Sequence, residues 1–368
     1  MTDGPTGAVG NLLERAVPDE LGHRGMKWYA QGVGQVPLPG VGIDKSQMSA
    51  VASEVGYFLF SLDTEMAWGS FNRDRYRSRR FSRDGSRERQ SIVRLLDMMD
   101  EFQIAGTWAI VGHLLYEECE ECEICPILEW KGKYRTFEEV YGTRDPLWYG
   151  ADILRMILSR NAGHEVAFHG YSHRYFDELS EADARVEIQE WLRLAHRRNI
   201  VPKTVIFPQG RIRHLGLFRE AGFLCYRGKE VPHPVLSLPG IGKAINRVNL
   251  TLAALTPQSF DISADPSGLV NLPSSYWLFR TNRTIESILD GLSLPKLRLR
   301  PTVRGIKGAA QKREILHLWA HPHEFRTEKD FDKLRYVFGH VAEEVERGRL
   351  VSITMADMAR QVIGQWPL

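Results

Sequence analysis

Residues 57–65 read YFLFSLDTE, a nearly continuous apolar run that ends in two carboxylates. A strand with one wet face would alternate apolar and polar side chains. A short run without that alternation is what a strand buried on both faces of a parallel sheet requires. Asp63 and Glu65 stand two apart, so both point to the same face of an extended segment.

The pattern repeats along the chain. Ile92, Leu95, Leu96 and Met99 recur at helical spacing and predict a helix over about 87–103. GTWAIVG (106–112) is the next strand, and a helix around 150–161 precedes HEVAFHG (164–170). Ser180 opens SEADARVEIQEWLRLAHRRN, with Asp183 three residues on, as a helix cap should. TVIFPQG (204–210), FLCYRG (223–228), LVNLPSS (269–275), EILHLWAH (314–321) and LVSITM (350–355) are further strands. HLGLFREAG, RTIESILDG, EKDFDKLRYVFGHVAEEVERG and ADMARQVIG supply helices. Such alternation predicts a parallel α/β architecture. No glycine-rich nucleotide fingerprint follows the first strand, so a closed or nearly closed barrel is preferred to an open dinucleotide-binding sheet.

Composition sets the limits. A chain of 368 residues, 43% hydrophobic, can bury a large core. Its net charge of +2 makes no case for a dedicated nucleic-acid binder. No apolar run of about 18 residues exists to span a membrane. The start, MTDGPTGAVGNLLERAVPDE, lacks a basic stretch followed by an apolar core, so a cytoplasmic location is expected. Residues 1–50, rich in Gly and Pro, read as an irregular N-terminal extension, and 51–368 as one barrel domain.

In a parallel barrel, chemistry sits at the C-terminal ends of the strands. Asp63 and Glu65 end the first strand. His169 ends the third, with His173 four residues on, a spacing that would put two imidazoles on one side of a helical turn. His321 ends the LHLWAH strand, with His323 just behind. One carboxylate with two neutral imidazoles makes a three-ligand hydrolytic metal site that leaves a position for water. A second carboxylate can act as general base, and a further histidine can protonate a departing amine. A lone strand-end Asp or His is commonly structural; separate strands delivering all of them to one rim is not. By position along their strands, His164 is expected to be structural and His317 to pack or hydrogen-bond inside the barrel.

SLDTE, GHEVAFHGYSH, FPQGR and LHLWAHPH, in that order over about residues 55–360, resemble the successive motifs of the polysaccharide deacetylases, the NodB-homology domain of carbohydrate esterase family 4. The resemblance implies a distorted (β/α)7–8 barrel that removes N-acetyl groups from amino sugars with one divalent metal ion. Zinc is the foremost choice, with cobalt, nickel or manganese as alternatives. It implies Asp63 as catalytic base, Glu65, His169 and His173 as metal ligands, and His321 as general acid. The chain departs from the family's usual pair of adjacent aspartates, having Asp63-Thr64-Glu65. It also lacks the usual arginine before the third motif's proline, where Phe207 stands, leaving Arg211 or Arg213 to orient Asp63. The backbone near Gln209 is a candidate oxyanion donor, Gln209 and Arg211 candidate substrate contacts, and Tyr276 and Trp277 either a sugar-stacking wall or core.

Two stretches stand apart. Cys119, Cys122 and Cys125 have the spacing of a structural zinc or iron–sulfur site, with Cys225 or His113 as a fourth ligand, or are thiols in an acidic insertion. RDRYRSRRFSRDGSRER (73–89) is a phosphate-docking segment or, more plainly, a solvated loop. Lys296–Arg313 reads as a basic loop.

The expected substrate is an N-acetylated sugar, as a nucleotide-, lipid- or small-molecule-linked precursor. The alternatives are hydrolysis of a cyclic ureide or imide, and a catalytically silent carbohydrate-binding homologue.

Overall fold

The structure, a computed structural model, describes residues 54–70, 81–82, 84–118, 146–240, 242, 245–246, 248–249, 255–262, 265–280 and 295–364. The extension expected over 1–50, Cys119, Cys122, Cys125 and the helix expected in RTIESILDG lie outside these residues, as does the boundary expected at residue 50.

Among the described residues, nine strands form one sheet: β1 (Gly56–Thr64), β2 (Gly106–Ile110), β3 (Glu165–Phe168), β4 (Thr204–Val205), β5 (Cys225–Tyr226), β6 (Val270–Asn271), β7 (Tyr276–Trp277), β8 (Ile315–Ala320) and β9 (Leu350–Ser352). All pair in parallel, in the order β6-β5-β4-β3-β2-β1-β8-β7, with β9 on β1. The helices are α1 (Ser86–Glu101), α2 (Ala151–Leu158), α3 (Glu181–Arg197), α4 (Leu215–Glu220), α5 (Pro295–Lys312), α6 (Glu328–Glu346) and α7 (Met355–Val362).

Chain connectivity forces this sheet to curl. Laid flat, eight strands about 4.8 Å apart would separate the outer two by about 34 Å. Those outer strands, β6 and β7, are joined by only Leu272–Ser275, and the stretch from Asn271 to Tyr276 reaches at most about 18 Å. The result is a distorted (β/α) barrel with its seam between β6 and β7, the fold class expected from the sequence.

Alternation along β1 then decides what lines the interior. All nine of its residues are buried. Phe58, Phe60 and Leu62 face the surrounding helices, in a core shared with Leu95, Trp191 and Phe338. Tyr57 and Leu59 face inward with Ala109, Ala167, Ile206 and Ile315, and α7 closes the floor with Met355 and Met358. The inward series continues through Ser61 and Asp63, so the polar residues appear where the apolar barrel opens.

Several expectations need correction. Lys296–Arg313 is largely helix α5, not a loop: Thr302, Val303, Ile306, Ala309 and Ala310 are buried along one face. Its density of cations masks that period. The runs expected as strands over 204–210, 223–228 and 269–275 keep only two ladder residues each, although backbone bonds such as Arg227 N–H to Val205 O (2.8 Å) extend the pairing. Ser180 does cap α3, accepting the Asp183 N–H at 3.1 Å.

Candidate active site

Glu65 follows β1 directly and is buried. Its carboxylate is hemmed in by Gly69: a Cβ there would lie 1.9 Å from Glu65 Oε1. Trp68 N–H turns back onto the Glu65 carbonyl at 2.9 Å, which draws Gly69 close.

His169 sits one residue past β3. Its Nδ1 lies 2.8 Å from the Ile206 carbonyl, an acceptor only, so Nδ1 carries the hydrogen and Nε2 presents a lone pair. Nε2 faces Glu65 Oε2 at 3.5 Å, and His173 Nε2 approaches the same oxygen at 2.9 Å. One donor atom each from Glu65, His169 and His173 lies within 4.8 Å of the others. The two histidines meet across a sharp bend rather than a helical turn, with Gly170 at φ 77° and His173 at φ 60°. Asp63 lies beside them, Oδ2 4.0 Å from His169 Nε2, and His321 Nε2 is 3.5 Å from Glu65 Oε1. The five side chains expected at the rim thus meet in one place.

The donor set fits a divalent cation. Burial lowers the His173 pKa, an effect that Glu65 only partly offsets, which favours the neutral imidazole a metal needs. Burial would raise the Glu65 pKa, but His321 and His173 hold it well below the usual carboxylate range. His169 Nε2 is buried with no hydrogen-bond partner, a cost that a bound cation would remove.

The residue that grips Asp63 is Arg227, two positions past Cys225 on β5, and not Arg211 or Arg213. Arg227 Nη1 and Nη2 donate to the two Asp63 oxygens at 2.7 and 2.6 Å. Burial would raise the Asp63 pKa, but Arg227 and His169 lower it. Arg211 instead pairs with Glu178, and Arg213 Nη1 lies 3.5 Å from the Asp177 carbonyl. Beneath Arg227, Ser61 Oγ lies 3.1 Å from Nη1 and 2.9 Å from His317 Nε2. His317 Nδ1 reaches the Pro273 carbonyl at 3.0 Å, so His317 hydrogen-bonds inside the barrel as expected.

Glu324 is a second unforeseen participant. Its Oε2 accepts the His321 backbone N–H at 2.9 Å and the Trp277 indole N–H at 3.0 Å, and lies 3.1 Å from His321 Nδ1. Burial pulls the His321 pKa down, but Glu324 and Glu65 more than offset it and hold it at about 10. His323 is buried beside it, with burial and His321 lowering its pKa to about 4.

Trp277 stacks on Trp319, ring centres 5.6 Å apart, next to His321. Tyr276 is buried, and Gln209 is exposed at φ 54°. Cys225 is buried inside the barrel against Thr204 and the Met355 carbonyl. His113 Nδ1 is bound to the Tyr171 carbonyl, with its ring stacked on Trp68. His164 accepts the Gly106 N–H at 3.2 Å, a structural role. In the arginine-rich segment, Arg89 forks onto Asp152 and Arg87 binds Glu88, while residues 71–80 and 83 lie outside the described residues.

No family model matches the chain, and no curated protein matches it in sequence. Solved structures do. A provisionally assigned polysaccharide deacetylase from Mycobacterium smegmatis is 17% identical, with a TM-score of 0.54, over 86% of this chain and 94% of that one. One so assigned from Pseudomonas aeruginosa PAO1 is 14% identical, with a TM-score of 0.49, over 85% and 92%. The PuuE allantoinase is 14% identical, with a TM-score of 0.44, over 85% and 91%. Of these three, only the first superposes closely enough to speak for the fold. With its curled parallel sheet, the chain has the fold of the NodB-homology polysaccharide deacetylases.

Proposed function

We propose that this protein is a metal-dependent hydrolase that removes an N-acyl group, acetyl foremost, from an amino sugar. The observation that carries the reading is the meeting of Glu65, His169 and His173, with Asp63 and His321 against the same cluster. Glu65, His169 and His173 hold the cation. When bound there, a divalent ion, zinc foremost, polarises the acyl carbonyl and makes a water more acidic.

Asp63 takes the proton of the attacking water, and Arg227 keeps its carboxylate ionised and aimed. His321 gives its proton to the departing nitrogen, with Glu324 orienting the ring. The face of Trp277 turned away from Trp319, on which its ring stacks, suits the apolar face of a pyranose. Arg213 and Lys229, both exposed on the segments that follow β4 and β5, suit the phosphate of a nucleotide- or lipid-linked sugar. Among the described residues, no helix is long and apolar enough to cross a membrane.

The test is acetate release from free and nucleotide-linked N-acetyl amino sugars, before and after dialysis against a strong chelator. Activity should vanish on dialysis and return with Zn²⁺ or Co²⁺. Turnover of cyclic ureides alone would move the reading to a non-sugar C–N bond. Turnover indifferent to chelation would discard the metal.

A further inference from the structure

The loop that delivers His173 has an anchor of its own. Glu187, on α3, is 1% exposed. Its Oε2 accepts the backbone N–H of Tyr171 at 2.8 Å and of Ser172 at 3.0 Å, and its Oε1 accepts the Ser172 hydroxyl. Three donors from two consecutive residues thus converge on one buried carboxylate, as backbone nests do around an anion. The other side of the loop is held by β2's exit: Gly112 N–H binds the Gly170 carbonyl at 2.9 Å, and His113 N–H the Tyr171 carbonyl at 3.1 Å. A side chain at position 112 would not allow this approach, since its Cβ would lie 2.9 Å from Tyr171 Cα.

The next residue along is His173, held in the left-handed region at φ 60°. That conformation is unfavourable for a non-glycine residue and persists only where its surroundings impose it. We infer that Glu187 is a positioning residue for the metal centre: without reaching the cation, it fixes the bend that aims the His173 imidazole at Glu65. Burying a carboxylate merely to fill space would be costly, and the three donors offset part of that cost. The inference rests on the metal reading above and extends it to a residue on a different element.

The test is Zn²⁺ titration of the folded, metal-free protein by calorimetry, with no substrate required. Glu187→Ala should weaken Zn²⁺ binding about 10- to 100-fold, the range seen when supporting partners of metal ligands are removed. Glu187→Gln should restore most of the affinity. Its carbonyl oxygen can accept both backbone N–H groups while its amide donates to the Ser172 hydroxyl, which is free to turn. The Co²⁺ form of Glu187→Ala should show an altered visible spectrum, which a general loss of packing would not produce. Should Glu187→Ala fail to fold, Ser172→Ala carries the test, with an expected loss of about threefold. A folded Glu187→Ala (or, in its place, Ser172→Ala) that binds Zn²⁺ as tightly as the wild type overturns the inference. A wild-type protein that binds no Zn²⁺ instead overturns the metal reading, and the inference with it.

Discussion

Arg227 closes a fork on Asp63, one guanidinium nitrogen to each carboxylate oxygen, across 164 residues of sequence. Both groups are buried, and Arg227 also lies over the Trp319 ring at 4.5 Å. Such a pair holds a carboxylate in its charged form and in one orientation.

Removing the arginine should therefore do two things. Arg227→Gln leaves Asp63 buried and uncompensated, which should cost about 3–5 kcal/mol of stability by chemical denaturation. In the protein that still folds, the acid limb of the rate–pH profile should move to higher pH, because Asp63 loses the charge that lowers its pKa. An unmoved acid limb would separate Asp63 from the base role.

Glu324 should set the alkaline limb. It raises the His321 pKa, so Glu324→Gln should lower that pKa. A general acid works only while protonated, so the alkaline fall in rate should begin at lower pH in the variant. The same shift should appear in the His321 ring resonances of the metal-free protein, which makes NMR an independent check.

Gly69→Ala should weaken metal binding more than tenfold while leaving the fold intact. The added Cβ falls 1.9 Å from Glu65 Oε1 and 2.0 Å from its Cδ, so the carboxylate must leave its place. Zn²⁺ titration beside a thermal melt separates the two effects.

The barrel floor should make stability depend on pH. Burial, opposed by hydrogen bonds from Thr204, Ala356 and Thr107, raises the Glu165 pKa from 4.5 to about 7. A carboxyl with a raised folded-state pKa stabilises the fold while protonated. Its contribution is complete below about pH 4.5, is lost as pH rises toward 7, and stays lost above it. Glu165→Gln should flatten this slope and be more stable than wild type at pH 8 by about 3 kcal/mol. Denaturation midpoints at pH 5 and 8 for both proteins decide it.

Local rules made the strands and their polar ends legible in the sequence. The apolar run before Asp63 announced a buried parallel strand, and period-two geometry put Asp63 and Glu65 at its open end. His169, His173 and His321 could likewise be read from strand ends. Arg227 was hidden because nothing in FLCYRG marks its arginine; the partner is chosen by barrel closure. Glu324 and Glu187 were missed for the same reason, since a carboxylate near a turn or on an amphipathic helix looks solvated until tertiary contacts bury it. The bend at His173 overrode a helical reading because Glu187 and Gly112 hold the loop from both sides.

Anomalous scattering at the zinc edge, from a crystal of the protein grown with equimolar Zn²⁺, decides whether Glu65, His169 and His173 hold a cation. One strong peak is expected about 2.0–2.2 Å from a Glu65 oxygen, His169 Nε2 and a His173 ring nitrogen. A peak elsewhere, or none between these three side chains, would contradict it.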